Sequence, residues 1–328
     1  MVAEPAVGFV AAPVATLWSD PAAVRPVDAP ALAPRADVGA WVSRMDEDQR
    51  VGDCVVSQLV LGERVLVEEV RADGWARVVA VEQPAARLDP RGYPGWLPAA
   101  QLAFGPFPAA TPALSSPDVA TPALSSSDVA MLVVDATGTA LRNAPAGRVV
   151  LPGVVLGTRL PSAGPTEEGW RPLRVPGYDR PLWAPAAELV PLPAAVAPVD
   201  VLALARRLRD AVYVWGGMSG HGIDCSGLVH MAWRRFGVRL PRDASDQAAA
   251  TAPLPPGTEQ PGDLYFFARP GRPVHHVGFV SDRGPRHMLH ACYRQRLVVE
   301  ERLTDERAAT LVAAHRVVAG QGLLPGNI

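Results

Sequence analysis

Apolar positions in the last third of this 328-residue chain follow two periods in succession. After Asp224, small or apolar residues fall at Cys225, Leu228, Val229, Ala232, Trp233 and Phe236, the recurrence that lines one buried face of an α-helix. Gly237 then ends the pattern as a C-cap residue does. The same reasoning predicts helices over 201–212 and 243–250. Beyond them come short apolar runs at 263–268, 274–281, 286–293, 297–302 and 315–318, which read as strands. Helices first and an antiparallel sheet after them make an α+β order.

The front of the chain is patterned differently. Residues 1–35 are rich in Pro, Ala and Val without a sustained period, and are expected to form an arm over a domain or a partly ordered tail. A short helical pattern covers 38–45. From 54 to 102, Val55, Leu59, Val65, Val67 and Val70 alternate loosely with polar residues between turns, as in a small β-barrel. A second set of short strands fills 131–192, with Gly169-Trp170 echoing Gly74-Trp75. There Leu182-Trp183 stands where the first set has Gly95-Trp96. Between the two, TPALSSPDVA at 111–120 is repeated as TPALSSSDVA at 121–130. Two copies this short, rich in Pro and Ser, make a spacer and not a solenoid. The expected division is an arm plus first β unit at 1–107, a linker at 108–130, a second β unit at 131–195 and the α+β domain at 199–328.

Charge narrows the function classes. With 31 basic and 33 acidic side chains, the net charge of −2 gives neither a basic nucleic-acid surface nor a polyanionic tail. Every one of the 31 cations is arginine, which excludes Schiff-base chemistry on lysine, a phosphate-loop lysine and a lysine general base. No run reaches the ~18–20 apolar residues of a membrane-spanning helix. The first arginine is Arg25, so the apolar opening stretch lacks the basic region of a secretory signal, and a cytoplasmic setting is expected. Three cysteines, Cys54, Cys225 and Cys292, make no disulfide framework.

All seven histidines lie at or beyond His221, so imidazole chemistry belongs to the α+β part. Cys225 opens its helix directly after Asp224, where free backbone N–H groups and the positive dipole end favour a thiolate. A thiolate nucleophile needs an orienting base, and His276 sits in the apolar run His-His-Val-Gly-Phe-Val. Strand alternation puts His276, Gly278 and Val280 on one face. His290, in the next run, is placed to fix the tautomer of that base. Other readings stand beside this one. A cysteine on an apolar helix face is most often a core residue. His276, His290 and Cys292 are also metal-ligand types, although without the tight spacing of a strong metal motif. Cys54 and Cys292 read as packing residues, His221, His230, His287 and His315 as solvated ones, and His275 as a satisfied structural neighbour.

Several segments in order carry a resemblance: Tyr213-Val-Trp-Gly-Gly, Gly222-Ile-Asp-Cys-Ser-Gly-Leu-Val, Leu240-Pro-Arg-Asp-Ala-Ser-Asp-Gln, Pro261-Gly-Asp-Leu, His276-Val-Gly and His290-Ala. Together they resemble the NlpC-type bacterial cell-wall cysteine peptidases. The resemblance implies a papain-like α+β domain with the triad Cys225, His276 and His290, acting on γ-D-glutamyl bonds to a diamino acid in peptidoglycan stem peptides. The front half, through the segments 58–65 and 92–97, is similar to a branch carrying two bacterial SH3-like β-barrels ahead of the peptidase. That similarity implies that Glu63 and Tyr93 bind the free amino end of the stem peptide. It also implies that Tyr213, Trp215, Asp224, Ser226, Asp243 and Ser245 line the same pocket. Taken without the resemblance, Glu63 reads as a turn residue on a solvated barrel edge.

The reading that results is a monomeric cysteine peptidase without cofactor or metal. Its partner is a murein stem peptide, L-Ala-γ-D-Glu-diamino acid, taken up in wall-peptide recycling, with no nucleic acid and no membrane involved. The alternatives are an exported hydrolase of intact wall and a non-catalytic wall-binding protein.

Overall fold

The computed structural model describes residues 5–107, 130–193 and 195–318. The duplicated spacer, apart from Ala130, lies outside the described residues. Among the described residues no helix is long and apolar enough to cross a membrane.

The first β unit is an antiparallel sheet of seven strands, β1 (Ala6–Val10), β2 (Val14–Trp18), β3 (Val55–Val60), β4 (Arg64–Val70), β5 (Trp75–Ala80), β6 (Tyr93–Pro98) and β7 (Leu102–Phe104), in the order β3-β2-β6-β5-β4-β1-β7. The opening residues therefore do not form an arm over a domain. β1 pairs with β4 and β7, and β2 pairs with β3 and β6. All five residues of β2 are buried, so no two-residue alternation was there to be read. Helix α1 (Val38–Arg44) is capped by Asp37, and its Trp41 meets Trp18 edge-on with ring centroids 6.0 Å apart. Residues 131–191 form a four-stranded and a three-stranded sheet around Leu141, Leu151, Val154, Leu160 and Leu173, a core that Leu61 of the first unit joins.

The last part carries helices α2 (Pro198–Arg206), α3 (Cys225–Arg235) and α4 (Ala244–Ala249). Its six-stranded antiparallel sheet comprises β8 (Ala252–Pro253), β9 (Leu264–Ala268), β10 (Val274–Val280), β11 (His287–Cys292), β12 (Leu297–Arg302) and β13 (Leu311–Arg316), in the order β8-β13-β9-β10-β11-β12. One hydrophobic core runs from Trp18, Trp41 and Leu97 of the front to Leu228, Trp233, Phe266 and Phe279 of the rear.

α3 departs most from its sequence pattern. Its apolar stripe predicts one buried face, yet all eleven residues are buried. The polar side is covered by both β units through ion pairs: Arg234 meets Glu82 at 3.0 Å, and Arg235 meets Asp135 at 2.6 Å. His230, read as solvated, is wholly buried on this helix, and burial with Arg234 and Arg242 nearby pushes its imidazole down to about 3. His275, read as a satisfied neighbour, is exposed.

Candidate active site

The site is built at the start of α3. Asp224 caps the helix by accepting from the Gly227 N–H at 2.7 Å. Its other oxygen accepts from the Gly216 N–H at 2.8 Å and from Arg242 at 2.7 Å. The first turn lies so close to the preceding loop that a Cβ on Gly227 would stand 2.3 Å from the Gly217 carbonyl oxygen. Only glycine permits this approach, which presents Cys225 to the sheet.

β10 and β11 pair at Phe279 with Leu289 and at Val280 with Met288, and their pairing ends there. Where they part, His276 and His290 face each other. His276 Nε2 lies 2.9 Å from His290 Nδ1, and the two rings meet edge-on. Gly278 makes this possible, because a Cβ there would sit 2.8 Å from the His290 Cβ. The His276 Nδ1 makes no hydrogen bond among the described residues, which leaves it as the ring atom available to a thiol. α3 packs on β10, so that the Cys225 thiol lies near enough to the backbone of Val277 and Ser226 to be lowered by their N–H groups. No hydrogen bond joins that sulfur to His276 among the described residues. Such catalytic contacts are commonly long in a free enzyme and close on substrate.

The electrostatics reverse one expectation. Burial, with Asp224 adding, pushes the Cys225 thiol up to about 12, and the N–H groups of Val277 and Ser226 and the Arg242 guanidinium offset this only in part. Cys225 is only 7 % exposed, so loss of hydration outweighs the helix start. Burial, with His290 and Arg307 adding, holds His276 well below its ordinary range. The resting pair is thus a neutral thiol beside a neutral imidazole.

The other candidate residues divide. Burial, with Cys225 and Asp224 adding, holds the Tyr213 hydroxyl well above its usual range, and its ring meets Tyr293 edge-on at 5.6 Å. Ser226 Oγ donates to Asp224 at 3.3 Å and accepts from Arg242 at 3.0 Å. Trp215 is 44 % exposed, and its backbone N–H donates to the Arg50 carbonyl at 2.8 Å. The Tyr93 hydroxyl, from β6 of the first unit, reaches Asp243 at 3.3 Å. Ser245 is engaged by Arg87 of the first unit.

Glu63 does not join them. It is 0 % exposed, accepts from Gln83 at 3.1 Å and from the Val60 N–H at 3.2 Å, and lies 3.6 Å from Arg234. Arg234 is nine residues beyond Cys225 on α3, about 13 Å along the axis at ~1.5 Å per residue. In the resting structure this carboxylate is sealed between Gln83, Val60 and Arg234, so it is not the solvated turn residue that its local sequence suggests.

Two residues that the sequence reading left unassigned shape the site. Arg242 bridges both Asp224 oxygens and also donates to Ser57 Oγ of β3 at 3.0 Å. Its position inside the Leu-Pro-Arg-Asp segment was the available signal. Glu301 on β12 accepts from His290 Nε2 at 3.1 Å. Among possible metal ligands, His290, Cys292 and Glu301 lie within 4.8 Å of one another. These atoms are already engaged, however, because Arg307 donates to the Cys292 sulfur at 3.5 Å while Glu301 holds His290. A guanidinium in that position opposes a second cation.

Residues 210–316 match the model of the NlpC/P60 family. A Bacillus subtilis protein, gamma-D-glutamyl-L-lysine dipeptidyl-peptidase, is 30 % identical over 285 residues, 85 % of this chain and 87 % of that protein. The Bacillus cereus protein of the same name is 28 % identical over 302 residues, 88 % of this chain and 84 % of that one. The crystal structure of a Bacillus cereus NlpC/P60 family protein superimposes with a TM-score of 0.79 at 24 % identity, over 95 % of this chain and 99 % of that one.

Proposed function

This chain belongs to the NlpC/P60 family of cysteine peptidases, and from that premise we propose that it hydrolyses the γ-D-glutamyl bond to a diamino acid in murein stem peptides whose L-Ala amine is free. The observation that carries the free-amine part is Asp243. Among the described residues this carboxylate has no cationic partner, and the Tyr93 hydroxyl of the first β unit holds it beside the start of α3. Burial raises its carboxyl above the ordinary value, although Arg242 pulls the other way, and an incoming ammonium would supply the missing charge. The two β units are read as SH3-type modules, the first of which closes the amino-end side of the cleft. Such a pocket suits peptides already released from the wall, and we place the reaction in cytoplasmic recycling.

In this mechanism the Cys225 sulfur attacks the γ-carbonyl carbon of D-Glu as its proton passes to His276 Nδ1. The oxyanion is met by the free Cys225 N–H at the helix start and by the Tyr213 hydroxyl. His276 returns the proton to the departing amine, leaving a thioester. Water, deprotonated by the same nitrogen, then releases L-Ala-D-Glu.

The test compares the free tripeptide, its N-acetylated form and intact sacculi. The expected result is rapid cleavage of the first alone, and none by Cys225→Ala. Asp243→Asn should raise KM at least about tenfold, since removing one partner of a buried charge pair costs ~2 kcal/mol or more. Sacculus digestion at a comparable rate would refute the amine-capture reading while leaving the peptidase intact.

A further inference from the structure

The hydrogen-bond chain behind the nucleophile does not end at His290. Its Nε2 lies 3.1 Å from Glu301 Oε1, and Gln295 Nε2 donates to Glu301 Oε2 at 2.5 Å. These residues come from adjacent places in one hairpin. β11 and β12 pair His290 with Val299 and Met288 with Glu301, so Glu301 stands diagonally across from His290 on the same face. Gln295 lies in the connecting turn beside Arg296, which has a positive φ of 60°.

A carboxylate only accepts, so the His290 nitrogen facing it must carry the hydrogen. A neutral imidazole has one N–H, which leaves His290 Nδ1 as an acceptor. The His276 nitrogen 2.9 Å away must then be the donor, and its hydrogen resides on Nε2. His276 Nδ1 is left with a lone pair, the form in which it can take the thiol proton. Without the carboxylate, His290 can place its hydrogen on Nδ1 and donate to His276, which reverses the relay and blocks the base.

We propose that Glu301 is a positioning residue which, acting through His290, fixes the tautomer that makes His276 a base towards Cys225. The role rests on the cysteine peptidase reading above and extends its catalytic machinery by one residue. The other charged or titratable groups that bear on the relay are Arg307, which acts on both histidines and on Glu301, exposed His275, which acts on His276, and Cys292, whose sulfur lies within 4.8 Å of His290 and Glu301 and accepts from Arg307. Arg307 disfavours protonation of the histidines, whereas Glu301 favours that of His290, so the carboxylate is the group whose loss removes the ordering influence.

The experiment uses the full chain as wild type, Glu301→Ala and Glu301→Gln. Alkylation of Cys225 by iodoacetamide is followed by mass spectrometry from about pH 5 to 9, a range spanning the imidazole titration. Turnover of free tripeptide is measured in parallel. The wrong tautomer in a related relay costs orders of magnitude, so Glu301→Ala should lose at least about tenfold in alkylation rate and in kcat with KM little changed. Glu301→Gln, whose amide oxygen can still accept, should recover part of the loss. Histidine-selective ¹⁵N spectra should show His276 protonated at Nε2 in the wild type and mixed in Glu301→Ala. Wild-type alkylation, kcat and tautomer in Glu301→Ala would overturn the proposal. If no stem peptide is cleaved by the wild type, the substrate reading fails, and alkylation and spectra still decide the role of Glu301.

Discussion

At the scale of single residues, the proposed chemistry falls to Cys225 and His276, both of which are neutral at rest. Burial acts in opposite directions on a thiol and an imidazole, so the two groups are driven away from an ion pair. Proton transfer then belongs to the attack itself. The pH dependence follows with a definite sign. The base must be unprotonated, and burial holds His276 well below 6.5. The kcat should therefore stay level as pH falls through 6.5 and decline only further into the acid range, as stopped-flow or steady-state assays of the tripeptide would record. A midpoint at or above 6.5 would show that the imidazole is not held neutral by its surroundings. The candidate triad was legible through the motifs that resemble the NlpC-type peptidases, because a motif survives without the fold. The ionisation of Cys225 was not, because hydration loss depends on neighbours brought from β10 and the front of the chain. The burial of Glu63 was not legible for the same reason: nothing local to the turn announces Arg234 across the junction.

At the scale of elements, the site depends on how closely one helix and two strands approach. Gly278 is the narrowest point. A methyl group there would stand 2.8 Å from the His290 Cβ and 3.0 Å from the Leu289 carbonyl oxygen. Gly278→Ala should displace His290 at an overpacking cost of about 1–3 kcal/mol. The expected outcome is a fall in kcat well beyond the fall in thermal midpoint, measured on the same preparation. A variant that keeps its kcat would show that β11 can move without consequence for the base. The helical period of α3 and the strand runs of 264–302 were readable in advance. The insertion of β1 and β2 into the first sheet was not, since β2 is buried on both sides and shows no alternation.

At the scale of the whole molecule, the first β unit and the peptidase part are joined by buried polar contacts as well as by a shared core. Arg234 stands between Glu63 and Glu82, while Arg242 ties the cap of α3 to Ser57, and the Met218 N–H donates to Gln58 at 2.9 Å. Arg234→Met would leave two carboxylates buried without their cation, which costs about 3–5 kcal/mol. Urea unfolding should show this loss, and the added changes Glu63→Gln and Glu82→Gln should restore much of it. Stability within error of wild type in Arg234→Met would mean that this junction contributes little to the fold.

The sequence alone determined the α+β order of the last third and the presence of two strand-rich units before it, and its resemblance to the NlpC-type peptidases pointed to Cys225, His276 and His290. The order of elements follows from periods of a few residues, which local sterics impose on any chain. Only the tertiary structure decided that Glu63 is buried against Arg234, that Cys225 rests as a thiol, and that Glu301 stands behind His290. Each of those depends on groups far apart in the chain that meet in a shared low-dielectric interior, where the strength and even the sign of an interaction are set by what else is packed there.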